Sequence, residues 1–324
     1  MLRRVLAVFE PFILTLVATV LLASFLPPRG IWAQIFGITA DAGIVLLFFL
    51  HGARLSREAI LQGARNWRLH FAVFVATYAL FPVLGLAFTA LPILDGSIAA
   101  GLLFLTLLPS TVQSSIAFTS IARGNVAAAV CSASFSNLIG IVLTPALVAL
   151  LMHSASGGPQ AGVSLASIEA ILLQLLLPFV VGHLLRPVIG GWVARHKKLV
   201  TTVDRGSILL VVYAAFGAAV VEGLWHRVSA PDLLVLLLAC IVLLAIVLAA
   251  TWGAAKALKL SREDAIVLLF CGSKKSLASG VPMAGVLFPA AQVGLVILPV
   301  MLFHQIQLIA CAVIARRLGE QPEG

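Results

Sequence analysis

The stretch FCGSKKSLASGVP, Phe270 to Pro282, places two adjacent lysines between glycines in a part of the chain that is otherwise hydrocarbon. A charged residue near the middle of a bilayer costs about 2.5 to 3.5 kcal/mol on the insertion scale, whereas each large apolar residue returns only about 0.3 to 0.6 kcal/mol. Lys274 and Lys275 therefore offset most of the insertion energy of their apolar neighbours. A helix with this sequence needs a polar interior, built by the rest of the protein, to receive its ammonium groups.

The composition of the whole chain is that of an integral membrane protein. Of its 324 residues, 61% are apolar and 10% are charged, and the mean hydropathy is +1.13. Apolar runs long enough to cross a hydrocarbon core of roughly 30 Å recur along the sequence. They predict ten transmembrane helices, near residues 11–26, 33–50, 69–91, 97–121, 125–152, 165–186, 207–224, 232–257, 264–287 and 291–315.

The segments between these helices are short, which predicts one transmembrane domain over residues 1–324. The longest are 186–206 and 153–164, and we expect both to be linkers. The four cysteines have no metal-type spacing, so we expect no cofactor and no structural metal.

Membrane topology accounts for the formal charge of +9. If both termini are cytoplasmic, nearly all of the 21 lysines and arginines fall in inside segments, and only Arg29 and Arg227 fall in outside loops. The positive-inside rule predicts this asymmetry for an even number of spans. The basic composition therefore does not indicate a nucleic-acid partner.

Ten helices divide into two sets of five, and the second set would then be inverted relative to the first. The predicted repeats cover about residues 10–152 and 165–316. Transporters built on this plan bind their substrate near mid-membrane on discontinuous helices. The fourth and ninth spans fit this role, because each carries helix-breaking residues next to a polar run.

In the fourth span Pro109 precedes the polar run, and in the ninth span Gly272, Gly280 and Pro282 surround it. A packing role is an alternative for the polar residues of the fourth span, since Ser and Thr are common between membrane helices. The candidate substrate- and ion-binding residues are Ser110, Thr111, Gln113, Ser114, Ser115, Ser134, Asn137, Ser273, Lys274, Lys275 and Ser276.

Few acidic residues are placed to pair with the two lysines. Only Asp41 falls inside a predicted span, where it either stabilises a helix N-terminus or takes part in proton coupling. His304 is a second candidate for proton coupling, with a packing role as its alternative. A buried ammonium without a carboxylate must be neutral, bonded to carbonyls and hydroxyls, or neutralised by a ligand. The sequence therefore favours an anionic substrate, or a lysine that stands where a metal cation would otherwise bind.

Several separated motifs carry a resemblance to a known family. They are HGARLSREA (His51–Ala59), ARGNVA (Ala122–Ala127), LTP (Leu143–Pro145) and FCGSKKSLASGVPMA (Phe270–Ala284). Over essentially the whole chain the sequence resembles the bile acid:sodium symporter family, most closely its vertebrate member-seven branch and bacterial relatives. The resemblance implies a core domain with crossed, broken helices four and nine, and a panel domain that moves against it. It also implies alternating access for an organic anion, driven by sodium, in the bacterial inner membrane.

The sodium ligands that the resemblance implies are mostly changed in this sequence. In helix nine the family's glutamate, glutamine and asparagine fall on Phe270, Lys274 and Lys275. Its other ligands fall on Thr77 in helix three, on Ser115 and Ile116 or Ser114 and Ser115 in helix four, and on Ala129 and Ala133 in helix five, with Ser132, Ser134 and Asn137 nearby. The sequence still allows a sodium site near Ser115 and Asn137. The lysines predict a carrier that is independent of sodium or linked to protons.

Two other classes of function remain as alternatives. One is a non-transporting regulator or channel. The other is a membrane hydrolase in which Ser273 or Ser276 is the nucleophile and a lysine is the general base. No HExxH or GxSxG pattern accompanies these serines, so we predict no enzymatic activity and no catalytic residue.

Overall fold

A computed structural model describes residues 11–54, 66–91, 96–152, 169 and 172–320, and this part of the chain is helical throughout, with short connections. The helices of the first half are α1 (Pro11–Phe25), α2 (Ile31–Arg54), α3 (Trp67–Thr89), α4 (Gly96–Leu107), α5 (Gln113–Ile121) and α6 (Val126–Met152). Those of the second half are α7 (Leu172–Arg195), α8 (Lys197–Val221), α9 (Leu224–Arg227), α10 (Ala230–Ala257), α11 (Arg262–Gly272), α12 (Leu277–Leu287) and α13 (Ala290–Glu320).

Seven of the described helices are long and apolar enough to cross a membrane, namely α2, α3, α6, α7, α8, α10 and α13. Residues Leu14–Phe25 of α1 and Ile98–Leu107 of α4 form shorter apolar helices. The predicted all-helical membrane protein is therefore confirmed in class. The beginnings of both predicted repeats, near residues 10 and 165, and the predicted linker 153–164 lie outside the described residues.

Residues 186–206 are not the linker that the sequence predicts. Helix α7 continues to Arg195, and α8 begins at Lys197, so His196 is the one residue between them. The hydropathy pattern ends where the hydrocarbon ends, but a helix can continue into the aqueous region because Lys and Arg are good helix formers. The prediction mistook the polar ends of two helices for a linker.

The helices form two compact units, each drawn from distant parts of the chain. Unit one comprises residues 1–55, 163–229 and 281–297, and unit two comprises residues 56–162, 230–280 and 298–324. Unit one thus holds α1, α2, α7, α8 and α9. Unit two holds α3 to α6, α10 and α11, with the first part of α12 and the larger part of α13.

In unit one, α2 and α7 cross at two glycines. A Cβ added at Gly182 would collide with the carbonyl of Phe49, and one added at Gly52 would collide with the carbonyl of Phe179. Small residues at such crossings allow two membrane helices to approach at backbone distance. The same unit contains an ion pair of 2.5 Å between Arg54 and Asp204, an acid that the sequence analysis had assigned to the linker.

We expect Gly182→Ala to lower the melting temperature of the purified protein, because the new methyl group meets rigid backbone and not a flexible side chain. Overpacking of this kind typically costs about 1 to 3 kcal/mol. Gly191→Ala, in the same helix, is the matched control, since no atom lies within 4 Å of its added Cβ. Equal melting temperatures for the two variants would contradict a backbone-distance crossing.

Candidate functional site

Two interruptions of the helices meet inside unit two. The first break, residues 108–112, separates α4 from α5, and the second break, residues 273–276, separates α11 from α12. The backbone N–H of Ser276 donates a hydrogen bond of 2.8 Å to the carbonyl of Pro109, which joins the two breaks directly. The second break and most of the first are buried.

A helix that ends inside a protein leaves its last carbonyls without backbone partners. A buried carbonyl without a hydrogen-bond donor is costly in free energy, so other donors are needed. At the end of α4, the Thr144 hydroxyl donates to the Leu107 carbonyl at 2.8 Å. Within the first break, the Asn137 amide donates to the Ser110 carbonyl at 2.8 Å. The carbonyls of Thr106 and Leu108 receive a different donor, which is a lysine from the second break.

Lys275 is 1% exposed, and its Nζ donates to three backbone carbonyls. The acceptors are Thr77 at 2.8 Å, Thr106 at 2.8 Å and Leu108 at 2.7 Å. A lysine ammonium has three N–H donors, so this arrangement can use every one of them. The ring centroid of Phe81 also lies close to this ammonium, 4.2 Å from Nζ. We call the three carbonyls the lysine cage.

The sequence of α3 explains why the Thr77 carbonyl is free to join the cage. Residues Ala76–Leu80 form a π-helical segment, in which the N–H of Phe81 donates to Ala76 and not to Thr77. The next residue that could serve Thr77 is Pro82, which has no N–H. The carbonyl thus has no helical partner and is available to the ammonium.

The second break is satisfied mainly by hydroxyls, two of them from the fourth span. Ser110 donates to the carbonyl of Cys271 at 2.6 Å, and Ser115 donates to that of Phe270 at 3.1 Å. Ser273 donates to the Leu269 carbonyl within its own helix. Each break therefore supplies donors for the free carbonyls of the other, and several predicted binding residues serve the backbone.

Gln307 of α13 holds the backbone of Lys275 on both sides. Its Oε1 accepts from the Lys275 N–H and its Nε2 donates to the Lys275 carbonyl, each at 2.9 Å. These two bonds fix the orientation of the amide, so its second N–H points to Nδ1 of His304 at 2.8 Å. Nδ1 must then accept, and the neutral imidazole carries its proton on Nε2.

Lys274 lies in a different environment from its neighbour. It is 0% exposed, and its Nζ donates to the Ser114 carbonyl at 3.0 Å. The same atom lies 3.9 Å from the ring centroid of Phe118 and 5.1 Å from that of Phe270. Within the described part of the chain, neither Lys274 nor Lys275 forms an ion pair with a carboxylate.

The other predicted residues are placed as follows. The Thr111 and Ser114 hydroxyls bond each other at 2.5 Å, and the Ser276 hydroxyl donates to Ser279, whose own hydroxyl donates to Asn137. Gln113 is exposed at the beginning of α5, and Ser134 is half-buried in α6.

Asp41 belongs to unit one and lies near the middle of α2. Its interpretation as a helix N-terminal acid is wrong, since α2 begins at Ile31 and has no acidic residue in its first turn. The sequence analysis also missed Ser136 and Thr144. Both lie on α6, and Ser136 accepts from the N–H of Ser110. The sequence feature that could have indicated these two residues is the hydroxyl side chains along the long fifth predicted span.

The residues present do not fit a sodium ion at the positions that the resemblance implies. Phe270 stands where a carboxylate is expected, and the lysine ammonium already binds the Thr77 carbonyl. The Ser115 hydroxyl is engaged with backbone, and Asn137 donates to two carbonyls and accepts from Ser279. An ammonium in the cage would also repel a second cation.

Comparison with known proteins shows the family of the chain. A family model described as the SBF-like CPA transporter family matches residues 10–320. The chain belongs to this family. It is 53% identical to “Putative symporter YfeH” of Escherichia coli (strain K12) over 320 residues, which cover 98% of this chain and 95% of that protein.

Two further relatives show how widely the family extends. The chain is 56% identical to “Uncharacterized protein PA2026” of Pseudomonas aeruginosa, with coverage of 96% of this chain and 93% of that protein. It is 25% identical to “Sodium/bile acid cotransporter 7” of Rattus norvegicus over 284 residues, which cover 84% and 80% of the two chains. The resemblance stated from the motifs is thus confirmed. The protein is a multi-pass membrane protein of a transporter family, and the lipid bilayer is its environment.

We expect Gln307→Leu to destabilise the protein, because it leaves the N–H and the carbonyl of Lys275 buried without partners. Each unsatisfied group costs about 1 to 3 kcal/mol. The measurement is the melting temperature in detergent, and Gln305→Leu, at a half-buried position two residues earlier, is the control. If Gln307→Leu melted no lower than Gln305→Leu, Gln307 would not hold the second break.

Proposed function

We propose that the protein is a secondary active transporter of a small organic anion that works by alternating access without a bound sodium ion. The observation that carries this proposal is the lysine cage. Ends of half-helices and unwound carbonyls are the groups that coordinate coupling cations in transporters with broken helices. Here a covalently attached ammonium binds such carbonyls, so the positive charge is part of the chain.

The charge balance of the two breaks supports an anionic substrate. Lys274 and Lys275 bring two ammonium groups into a buried region, and no carboxylate of the described residues pairs with them. Buried charges without partners attract ligands of opposite sign and repel those of like sign. The printed name of the rat relative supports an organic anion as the class of substrate.

We propose the following architecture for this transporter. It has ten transmembrane helices in two inverted sets of five, in which α4 with α5 is the discontinuous fourth helix and α11 with α12 is the ninth. The division of the chain into two units supports a core that carries both breaks and a panel formed by α1, α2, α7 and α8. The bacterial relatives support an inner-membrane location, and the charge asymmetry of the sequence supports cytoplasmic termini.

The hydrolase alternative is not favoured by the geometry. The Lys275 amine is held as an ammonium by three carbonyls, which leaves it no lone pair to act as a general base. The hydroxyl of Ser273 donates to the Leu269 carbonyl, and that of Ser276 donates to Ser279. Neither lysine is hydrogen-bonded to either serine hydroxyl among the described residues. We therefore propose a transporter and not an enzyme.

The first experiment compares thermal unfolding of the purified protein in sodium chloride and in choline chloride at matched ionic strength. A ligand that binds only the folded state stabilises it by about 2.7 kcal/mol at one hundred times its Kd. We expect the same melting temperature in both salts. A saturable rise that is specific to sodium would contradict the proposal and would mean that sodium symport survives with rearranged ligands.

The second experiment measures transport by the protein in proteoliposomes, in sodium-free buffer. The probes are radiolabelled organic anions, beginning with taurocholate, and the readout is counterflow. We expect Lys274→Ala and Lys275→Ala each to abolish counterflow that the exposed control Lys256→Ala retains. Single-channel currents in place of counterflow, or full counterflow in both variants, would contradict the proposed mechanism.

A further inference from the structure

The two adjacent lysines differ in how fully their ammonium groups are satisfied. Lys275 donates to three carbonyls at 2.7 to 2.8 Å. Among the described residues, Lys274 donates to one carbonyl, that of Ser114, at the longer distance of 3.0 Å. Its Nζ also lies over the faces of two aromatic rings, which attract a cation electrostatically.

This difference decides which lysine can lose a proton at the lower cost. When an ammonium becomes an amine, it keeps two N–H donors and gains a lone pair. At Lys275 that lone pair would face a carbonyl oxygen, and one of three charge-assisted bonds would be lost. At Lys274 the amine keeps its one bond to Ser114, and the loss is confined to the contacts with the rings.

The groups that face Lys274 carry no full negative charge. Cys271 of α11 faces it, as do His304 and Cys311 of α13. Thiols and a neutral imidazole do not cancel the charge of an ammonium. Burial therefore disfavours the Lys274 ammonium, and no carboxylate of the described residues offsets this effect.

We propose that Lys274 is the proton-carrying residue of the transporter, and that Lys275 keeps its charge throughout the cycle. The proposal rests on the proposed function, because it assigns the coupling ion of that same site. In each cycle one Nζ–H bond of Lys274 breaks, the electron pair stays on nitrogen, and the proton leaves to water. The amine takes up a proton again before the next cycle.

The sign of the coupling follows from electrostatics. An anion bound near the breaks favours the ammonium form of Lys274, and its departure favours the amine form. The anion and the proton therefore move in the same direction. For a substrate of charge −1 and a single proton, a complete transport cycle moves no net charge across the membrane. This coupling needs no sodium gradient.

The test is nitrogen NMR of the whole protein, labelled with [15Nζ]lysine, in detergent micelles, because the 15Nζ shift separates ammonium from amine. The chain has six lysines, and four of them, Lys197, Lys198, Lys256 and Lys259, are exposed. Replacing these four by arginine leaves two signals. Lys274→Arg and Lys275→Arg, each made singly, assign the signals, and either variant suffices if the other does not fold.

In an alkaline titration we expect the Lys274 signal to change from the ammonium to the amine position first. The Lys275 signal should remain at the ammonium position at that pH. A Lys274 signal that stayed ammonium until the exposed lysines of the wild type titrate would overturn the inference and leave the proposed function standing. If Lys275 lost its proton first, both the inference and the fixed-cation proposal would fail.

Discussion

The coordination of the Lys275 ammonium by three backbone carbonyls is the interaction on which the rest of unit two depends. The carbonyls come from a π-helical segment of α3 and from the end of α4, two places where a helix leaves acceptors unused. Without a donor, three buried carbonyls would each be unsatisfied. The ammonium satisfies all three carbonyls, and the carbonyls in turn offset the cost of burying its charge. Each break therefore stabilises the other.

The same reciprocity explains the polar composition of the two breaks. Ser110 and Ser115 donate to carbonyls at the end of α11, and the backbone N–H of Ser276 donates to the carbonyl of Pro109. A packing role and a binding role were the two interpretations open for these serines. The structure assigns their hydroxyls to the backbone, which leaves the lysines as the charged groups with which a ligand can interact.

Part of this site could be predicted from the sequence and part could not. The insertion cost of two mid-span lysines predicts a polar interior, and Pro109 and Gly272 correctly indicate where α4 and α11 stop. The role of Thr77 depends on Pro82 five residues later, which matters only in a π-helical register that no hydropathy pattern reveals. The sequence shows Gln307 as a polar residue of the last predicted span. It does not show that Gln307 binds the backbone of Lys275, because that contact depends on how α13 packs.

We propose that an attached ammonium takes the place of a coupling cation in this protein. The most direct measurement is equilibrium binding of ²²Na⁺ to the purified protein and to its Lys275→Ala variant. The account predicts no saturable binding to the wild type, and saturable binding to the variant, in which the three carbonyls are vacated. Saturable ²²Na⁺ binding to the wild type, displaced by unlabelled sodium, would contradict the account whether or not the variant folds.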